Sequence, residues 1–246
     1  MSFSLSTFEE DGIIPQVRNA LRAVENGETA LGKLKPFTIK LTPYLLGIKA
    51  KNGVVIACEK KLSTILIDET SFHKVAPLTT HIGAVYSGIG PDFLPVLKKL
   101  RKDCISYSQV YQDAISMFYL SKRGASLMEE YTASGGVRPM GISLLLAGVD
   151  EKGPKLYQVD ASGTFYAWKA TAIGKNAKSA KGFLEKRFEE DMELEDAIQT
   201  ALLTLKDGFE GQLTEKNIEI GVISTADNTF RVLSTAEVRD YIKEAE

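Results

Sequence analysis

Two long helical patterns lie back to back in this chain, at residues 92–111 and 114–132, with strand-like runs on either side and none between them. A parallel sheet needs a crossover helix between successive strands, so paired helices argue against a doubly wound fold and for helical layers outside antiparallel sheets. Phe93, Val96, Leu97 and Leu100 fall on one face of the first pattern, and Ile115, Phe118, Ala125, Met128 and Tyr131 on one face of the second. Gly124 interrupts the second at a cost of about 1 kcal/mol relative to alanine. Ser134-Gly135-Gly136 ends it.

The rest of the chain alternates in the same way. Residues 16–26 read as a helix with Val17, Ala20, Leu21 and Val24 on one face and Gly27 as its stop. Residues 45–49 and 54–59 read as strands joined in a tight hairpin at Asn52-Gly53. A strand at 82–87 ends in Gly88-Ile89-Gly90-Pro91, and a meander follows the helix pair at 141–149, 155–160 and 164–168. Helices at 177–188 and 194–209, strands at 218–223 and 230–233, and a helix at 235–244 complete the order. With no linker and no repeat, residues 1–246 form one layered α+β domain. Residues 33–46, with Pro36 and Pro43, are a poor continuation of any sheet.

A chain of 246 residues that is 44% hydrophobic and 25% charged can bury a sizeable core. Its net charge of −2 provides no global attraction for nucleic acid or an anionic membrane, so neither is expected as a partner. The basic run Lys98-Lys99-Leu100-Arg101-Lys102 reads as a solvated helix face. The longest apolar run, 142–149, is far short of the roughly 20 residues of a spanning helix, and no charged-then-apolar leader opens the chain. Cys58 and Cys104 make no CxxC pair and read as buried thiols in a reducing compartment. The expectation is a soluble intracellular protein.

Motifs that would carry chemistry are incomplete. Residues 88–92 begin like a dinucleotide loop but lack the third glycine, and Pro91 removes an N–H that a phosphate would use. Residues 134–139 lack the Lys-Ser/Thr of a phosphate loop. His73 and His81 are the only histidines and form no HExxH, and no GxSxG occurs. The acidic residues at 189–196 surround a helix start, where negative charge is favourable. No metal and no cofactor are expected.

Several stretches, taken in order, resemble the alpha subunits of the proteasome core particle. They are Ser2-Phe3-Ser4-Leu5-Ser6-Thr7-Phe8, Gly135-Gly136-Val137-Arg138-Pro139, Lys169-Ala170-Thr171-Ala172-Ile173-Gly174-Lys175-Asn176 and Phe183-Leu184-Glu185-Lys186-Arg187. Phe165-Tyr166-Ala167-Trp168 and Glu195-Asp196-Ala197-Ile198 are most similar to the type 2 branch of that family. The resemblance implies a four-layer sandwich of two antiparallel sheets flanked by helices, shared with amino-terminal nucleophile hydrolases. It also implies a non-catalytic ring subunit that contributes to barrel assembly, pore gating and the docking of regulatory particles in ubiquitin-dependent protein degradation, in cytoplasm and nucleus. The implied partners are neighbouring alpha subunits, beta subunits, and the C-terminal tails of regulatory particles or other activators.

Catalytic relatives cut themselves after a glycine to free an amino-terminal threonine. Here the residue after Gly27 is Glu28, which cannot supply a hydroxyl. Glu59 and Lys74 match the family's acid and lysine positions, so a processed threonine-type peptidase is the alternative that Glu28 opposes. In alpha subunits the lysine matching Lys74 lines an activator pocket and pairs with a terminal carboxylate, with Gly27 and Ile89 matching pocket walls. The plain alternative for Lys74 is an ion pair with Asp68 or Glu69. Ser2 and Phe3 match the gate tail. The chain departs from the family pattern at Phe8-Glu9-Glu10-Asp11-Gly12, at Gln16-Val17-Arg18-Asn19-Ala20, and at an apparent insertion, 33–46, bracketed by Leu31-Gly32 and Leu46-Gly47.

Overall fold

The computed structural model of the chain describes residues 14–26, 45–60, 66–68, 71–134, 136–208 and 213–244. Helix α1 (Pro15–Asn26) comes first, then the hairpin β1 (Leu45–Lys49) and β2 (Gly53–Glu59). β3 (Val75–Thr79) and β4 (Ile82–Gly88) precede the helix pair α2 (Gly90–Tyr111) and α3 (Met117–Ala133). The meander is β5 (Ile142–Asp150), β6 (Gly153–Val159), β7 (Phe165–Ala167) and β8 (Ala170–Ile173). α4 (Ala177–Arg187), α5 (Leu194–Gly208), β9 (Ile218–Ser224), β10 (Phe230–Val232) and α6 (Thr235–Glu244) follow.

The strands make two antiparallel sheets of five, in the orders β10-β9-β2-β1-β8 and β3-β4-β5-β6-β7. The first carries α4, α5 and α6 on its outer face through Leu184, Ile198, Leu202, Leu205 and Val238. The second carries α2 and α3 through Phe93, Leu100, Leu120 and Met128. A third cluster, with Val54, Ile56, Val85, Leu145, Ile223 and Phe230, lies between the sheets. This is the expected four-layer α+β sandwich. Strands β2 and β5 are apolar along almost their whole length because both of their faces are covered.

The sheets approach closely where glycine permits it. A Cβ on Gly83 would lie 2.1 Å from the Phe230 ring, and one on Gly221 would lie 2.5 Å from it. Phe230 therefore occupies a slot that two glycines leave open, one in each sheet.

Several sequence expectations need correction. β3 and β8 are not visible as strands in the apolar pattern; both lie at sheet edges, where Pro77 of β3 is tolerated. Helix α3 starts at Met117 rather than at 114, because the Ser116 hydroxyl caps it by accepting from Tyr119 N at 3.3 Å. Leu45 and Leu46 are buried residues of β1, paired with Cys58 and Ala57, although the apparent insertion included both. The hairpin at Asn52-Gly53 is wider than a two-residue turn. Its last pair is Lys49 with Val54, and Ala50 N donates to Gly53 O at 2.9 Å. Cys58 and Cys104 are buried free thiols. Lys98, Lys99 and Lys102 of the basic run are exposed, while Arg101 donates to Pro77 O from both Nε and Nη2.

Candidate functional site

The segment that precedes β3 is fastened to the opposite sheet by one carboxylate. Glu219 sits in β9 opposite Cys58 of β2 and is only 6% exposed. Its Oε2 accepts the backbone N–H of Lys74 at 2.7 Å and of Val75 at 3.0 Å. Its Oε1 accepts from His73 Nδ1 at 2.8 Å. A buried carboxylate is tolerable only when donors surround it, and this one has three. Its sequence signal was slight: a single acid within the apolar run Ile218-Glu219-Ile220.

Lys74 is thereby drawn inward and is only 1% exposed. Among the described residues its Nζ has no hydrogen-bond partner, and it lies 5.9 Å from the centres of the Phe72 and Tyr86 rings. That distance is at the outer limit of a cation–π contact, so the rings compensate little of the lost hydration. Burial pushes the Lys74 pKa down to about 8, and the nearby Glu59 and Glu219 carboxylates offset only part of it. The ion pair with Asp68 that the sequence allowed is absent from the structure, and Glu69 lies outside the described residues.

Tyr86 lies between this ammonium and the start of α2. Its ring stacks on Phe93 with centroids 4.2 Å apart, and a Cβ on Gly90 would lie 3.1 Å from its hydroxyl. Ile89 comes just before, after Gly88 turns the chain at φ +113°. Ile89 N donates to Gly141 O at 2.8 Å, and its side chain covers Gly141 so closely that a Cβ there would lie 2.6 Å away. Ile89 also lines a groove of about 240 Å³ between Ala20 and Ala23 of α1 and the Arg138-Pro139 loop. Arg138 is held there by a two-pronged pair with Asp92, 2.7 Å on each arm, and Asp92 Oδ2 also accepts from Gly141 N at 3.0 Å. The Asp92 bonds raise the Arg138 pKa above its ordinary value. The pairing was not read from the sequence, which places its members 46 residues apart.

Lys74 Nζ thus lies near the Tyr86 ring, while Ile89 packs on Gly141 and lines the groove beside α1. Gly27, Glu28, Ser2 and Phe3 lie outside the described residues, as do residues 33–44. Glu59 ends β2 and acts electrostatically on Lys74. Among the described residues no cluster of histidine, cysteine and acids could hold a metal ion. No helix among them is long and apolar enough to cross a membrane.

Comparison with known proteins decides which family this arrangement represents. A family model described as "Proteasome subunit" matches residues 44–223. The chain belongs to the proteasome subunit family. Among curated proteasome proteins it is 54% identical over 245 residues to proteasome subunit alpha type-2-B of Arabidopsis thaliana, covering 100% of this chain and 97% of that protein. It is 53% identical over 245 residues to proteasome subunit alpha type-2 of Oryza sativa subsp. japonica, with the same coverage. The alpha type-2 subunit of Dictyostelium discoideum is 50% identical over 241 residues, 98% of this chain and 97% of that one. These proteasome relatives share one type across its full length. The chain is an alpha-type, non-catalytic proteasome subunit.

Proposed function

We propose that this chain occupies an outer alpha ring of the proteasome core particle, beside other alpha subunits and seated on beta subunits. There it contributes to barrel assembly, to gating of the pore by its amino-terminal residues, and to docking of regulatory particles for ubiquitin-dependent degradation in cytoplasm and nucleus. The observation that carries this reading is the end-to-end match, at about half identity, to relatives named alpha type-2. Within it, Lys74 and Ile89 are assigned to the pocket that receives an activator's C-terminal tail, together with Gly27, and Ser2 and Phe3 to the gate. A buried ammonium with no hydrogen-bond partner among the described residues supports the Lys74 assignment, because a terminal carboxylate would supply the missing counter-charge.

Native mass spectrometry of the tagged chain, purified from its own cells, tests the ring assignment. Recovery in a large hetero-oligomer with distinct alpha and beta chains is the expected result, and recovery as a monomer or homo-oligomer would overturn it. Lys74→Ala should weaken activator-stimulated peptide hydrolysis while the barrel stays assembled. Unchanged stimulation would remove Lys74 from the pocket.

A further inference from the structure

Helix α4 turns one mixed face toward the place where the chain crosses from one sheet to the other. Lys181, Leu184, Glu185 and Phe188 recur at intervals of three and four residues along it, and with Trp168, Lys169 and Ala170 they line a cavity of about 340 Å³. Both walls are fixed. Trp168 N donates to Leu156 O of β6 at 2.9 Å, and Lys169 O accepts from Lys49 N of β1 at 2.8 Å, so the crossing is tied to both sheets. Opposite it, Leu184 is buried in the core beneath α4, and Phe188 packs against the same core and ends the helix by donating its N–H to Leu184 O. The floor of the cavity is therefore apolar, while the Lys169 and Glu185 side chains are exposed.

The charges around that floor are not equally engaged. Lys169 is paired with Glu190. Lys181 Nζ rests over the Trp168 ring, 4.8 Å from its centre, a contact that positions the ammonium without neutralising it. Glu185 stands one turn further along the same face of α4, and among the described residues neither it nor Lys181 has a hydrogen bond or an ion pair. One open cation and one open anion thus share a cavity with an apolar floor. A simple anion there is repelled by Glu185 and a simple cation by Lys181, and an uncharged apolar group strips water from both without replacing it. A molecule that carries a carboxylate, an ammonium and an apolar side chain satisfies all three features. We propose that the cavity binds a free apolar α-amino acid, its carboxylate on Lys181, its ammonium on Glu185 and its side chain against Trp168, Leu184 and Phe188. The volume lies at the small end of the range for ligand pockets, about 300–1,000 Å³, which fits a single residue rather than a cofactor. No covalent bond changes, and the site shares no residue with the pocket assigned to activator tails, so it stands apart from that assignment.

Trp168 is the only tryptophan in the chain and lines the site, so its fluorescence in the full-length chain reports occupancy directly. The probe is L-leucine, set against glycine, N-acetyl-leucine and leucinamide, which lack the side chain, the ammonium and the carboxylate in turn. Leucine should change the emission saturably, with half-saturation on the order of 1 mM for so small a ligand, and glycine should not. N-acetyl-leucine and leucinamide should each bind roughly tenfold more weakly, through loss of one charge-assisted contact. Lys181→Gln should abolish the preference for leucine over leucinamide, and Glu185→Gln the preference over N-acetyl-leucine. Absence of a saturable response to leucine would overturn the proposal. Equal binding of leucine and its two derivatives would overturn it as well, because such a cleft reads no charge. A ranking unchanged in both variants would do the same. If a variant does not fold, the ranking of the four ligands on the parent chain still decides.

Discussion

Glu219 holds Lys74 by its backbone and not by its side chain: the carboxylate accepts the Lys74 N–H at 2.7 Å, while Nζ has no hydrogen-bond partner among the described residues. One acid in one sheet thus sets the position of the segment entering the other sheet, and the cation it places there is left for something else to neutralise. Glu219→Ala removes the acceptor from two buried backbone donors, each of which costs about 1–3 kcal/mol when stranded. With two donors stranded, urea unfolding of the variant should show a loss of about 2–6 kcal/mol, and Glu219→Gln a smaller one because an amide oxygen still accepts. Equal stability of the alanine variant and the parent would contradict the anchoring role.

The Phe230 slot predicts a compensating pair. Gly83→Ala places a methyl 2.1 Å from the ring and should destabilise by about 1–3 kcal/mol or more through overpacking. Phe230→Leu alone should also destabilise, by loss of buried surface. Combined, the two should cost less than the sum of the single changes. A double-mutant cycle by thermal unfolding reads the coupling, and strict additivity would mean that the ring does not occupy the glycine's space.

The Asp92–Arg138 pair connects the first turn of α2 to the loop before β5, with the carboxylate buried and the guanidinium half exposed. Arg138→Lys keeps the charge but loses the two-pronged geometry, and should cost about 1–2 kcal/mol. Hydrogen exchange should then quicken at Gly141 N, which shares the Asp92 carboxylate. Protection at that amide unchanged from the parent would argue that the pair has no organising effect.

Helix α6 opens with a reciprocal cap whose pH dependence has a definite sign. Ser234 N donates to Glu237 Oε2 at 2.8 Å and Glu237 N donates to Ser234 Oγ at 3.3 Å. The Ser234 backbone N–H, followed by the Arg231 guanidinium, holds the Glu237 pKa down to about 2 from an ordinary value of 4.5. Since the folded value lies below the unfolded one, the unfolded state binds the proton more tightly. The cap's contribution is therefore complete above pH 4.5 and is lost as pH falls toward about 2. Glu237→Gln should lower stability near neutrality by no more than a few tenths of a kcal/mol, since the group is solvent-exposed, and leave it unchanged near pH 2, so that the profile flattens across that window. Chemical unfolding at pH 3 and pH 7 makes the comparison.

What the sequence determined by itself is what each segment's own backbone and side-chain spacing decide. The apolar period of 235–244 delimits α6 at both ends, and the run Ile142-Ser143-Leu144-Leu145-Leu146 requires a strand covered on both faces. The paired helices exclude a parallel sheet, and the motif series identifies the family without any coordinates. Local spacing could not reveal β3 and β8, whose Pro77 and short apolar content make sense only once they stand at sheet edges. Gly53 shows the same division. It reads as a turn glycine, yet it is required because a Cβ would lie 2.3 Å from Ile223 O on a strand brought in from the far end of the chain. Beside it, Asn52 Oδ1 accepts from Leu194 N at the start of α5, 142 residues away. The same holds for the candidate site, where Glu219, Tyr86 and Asp92 have no local signature because their roles are contacts with distant segments. Periodicity records which face of an element is buried. What that face meets, and which buried charge is left without a partner, is decided only when the two sheets close on each other.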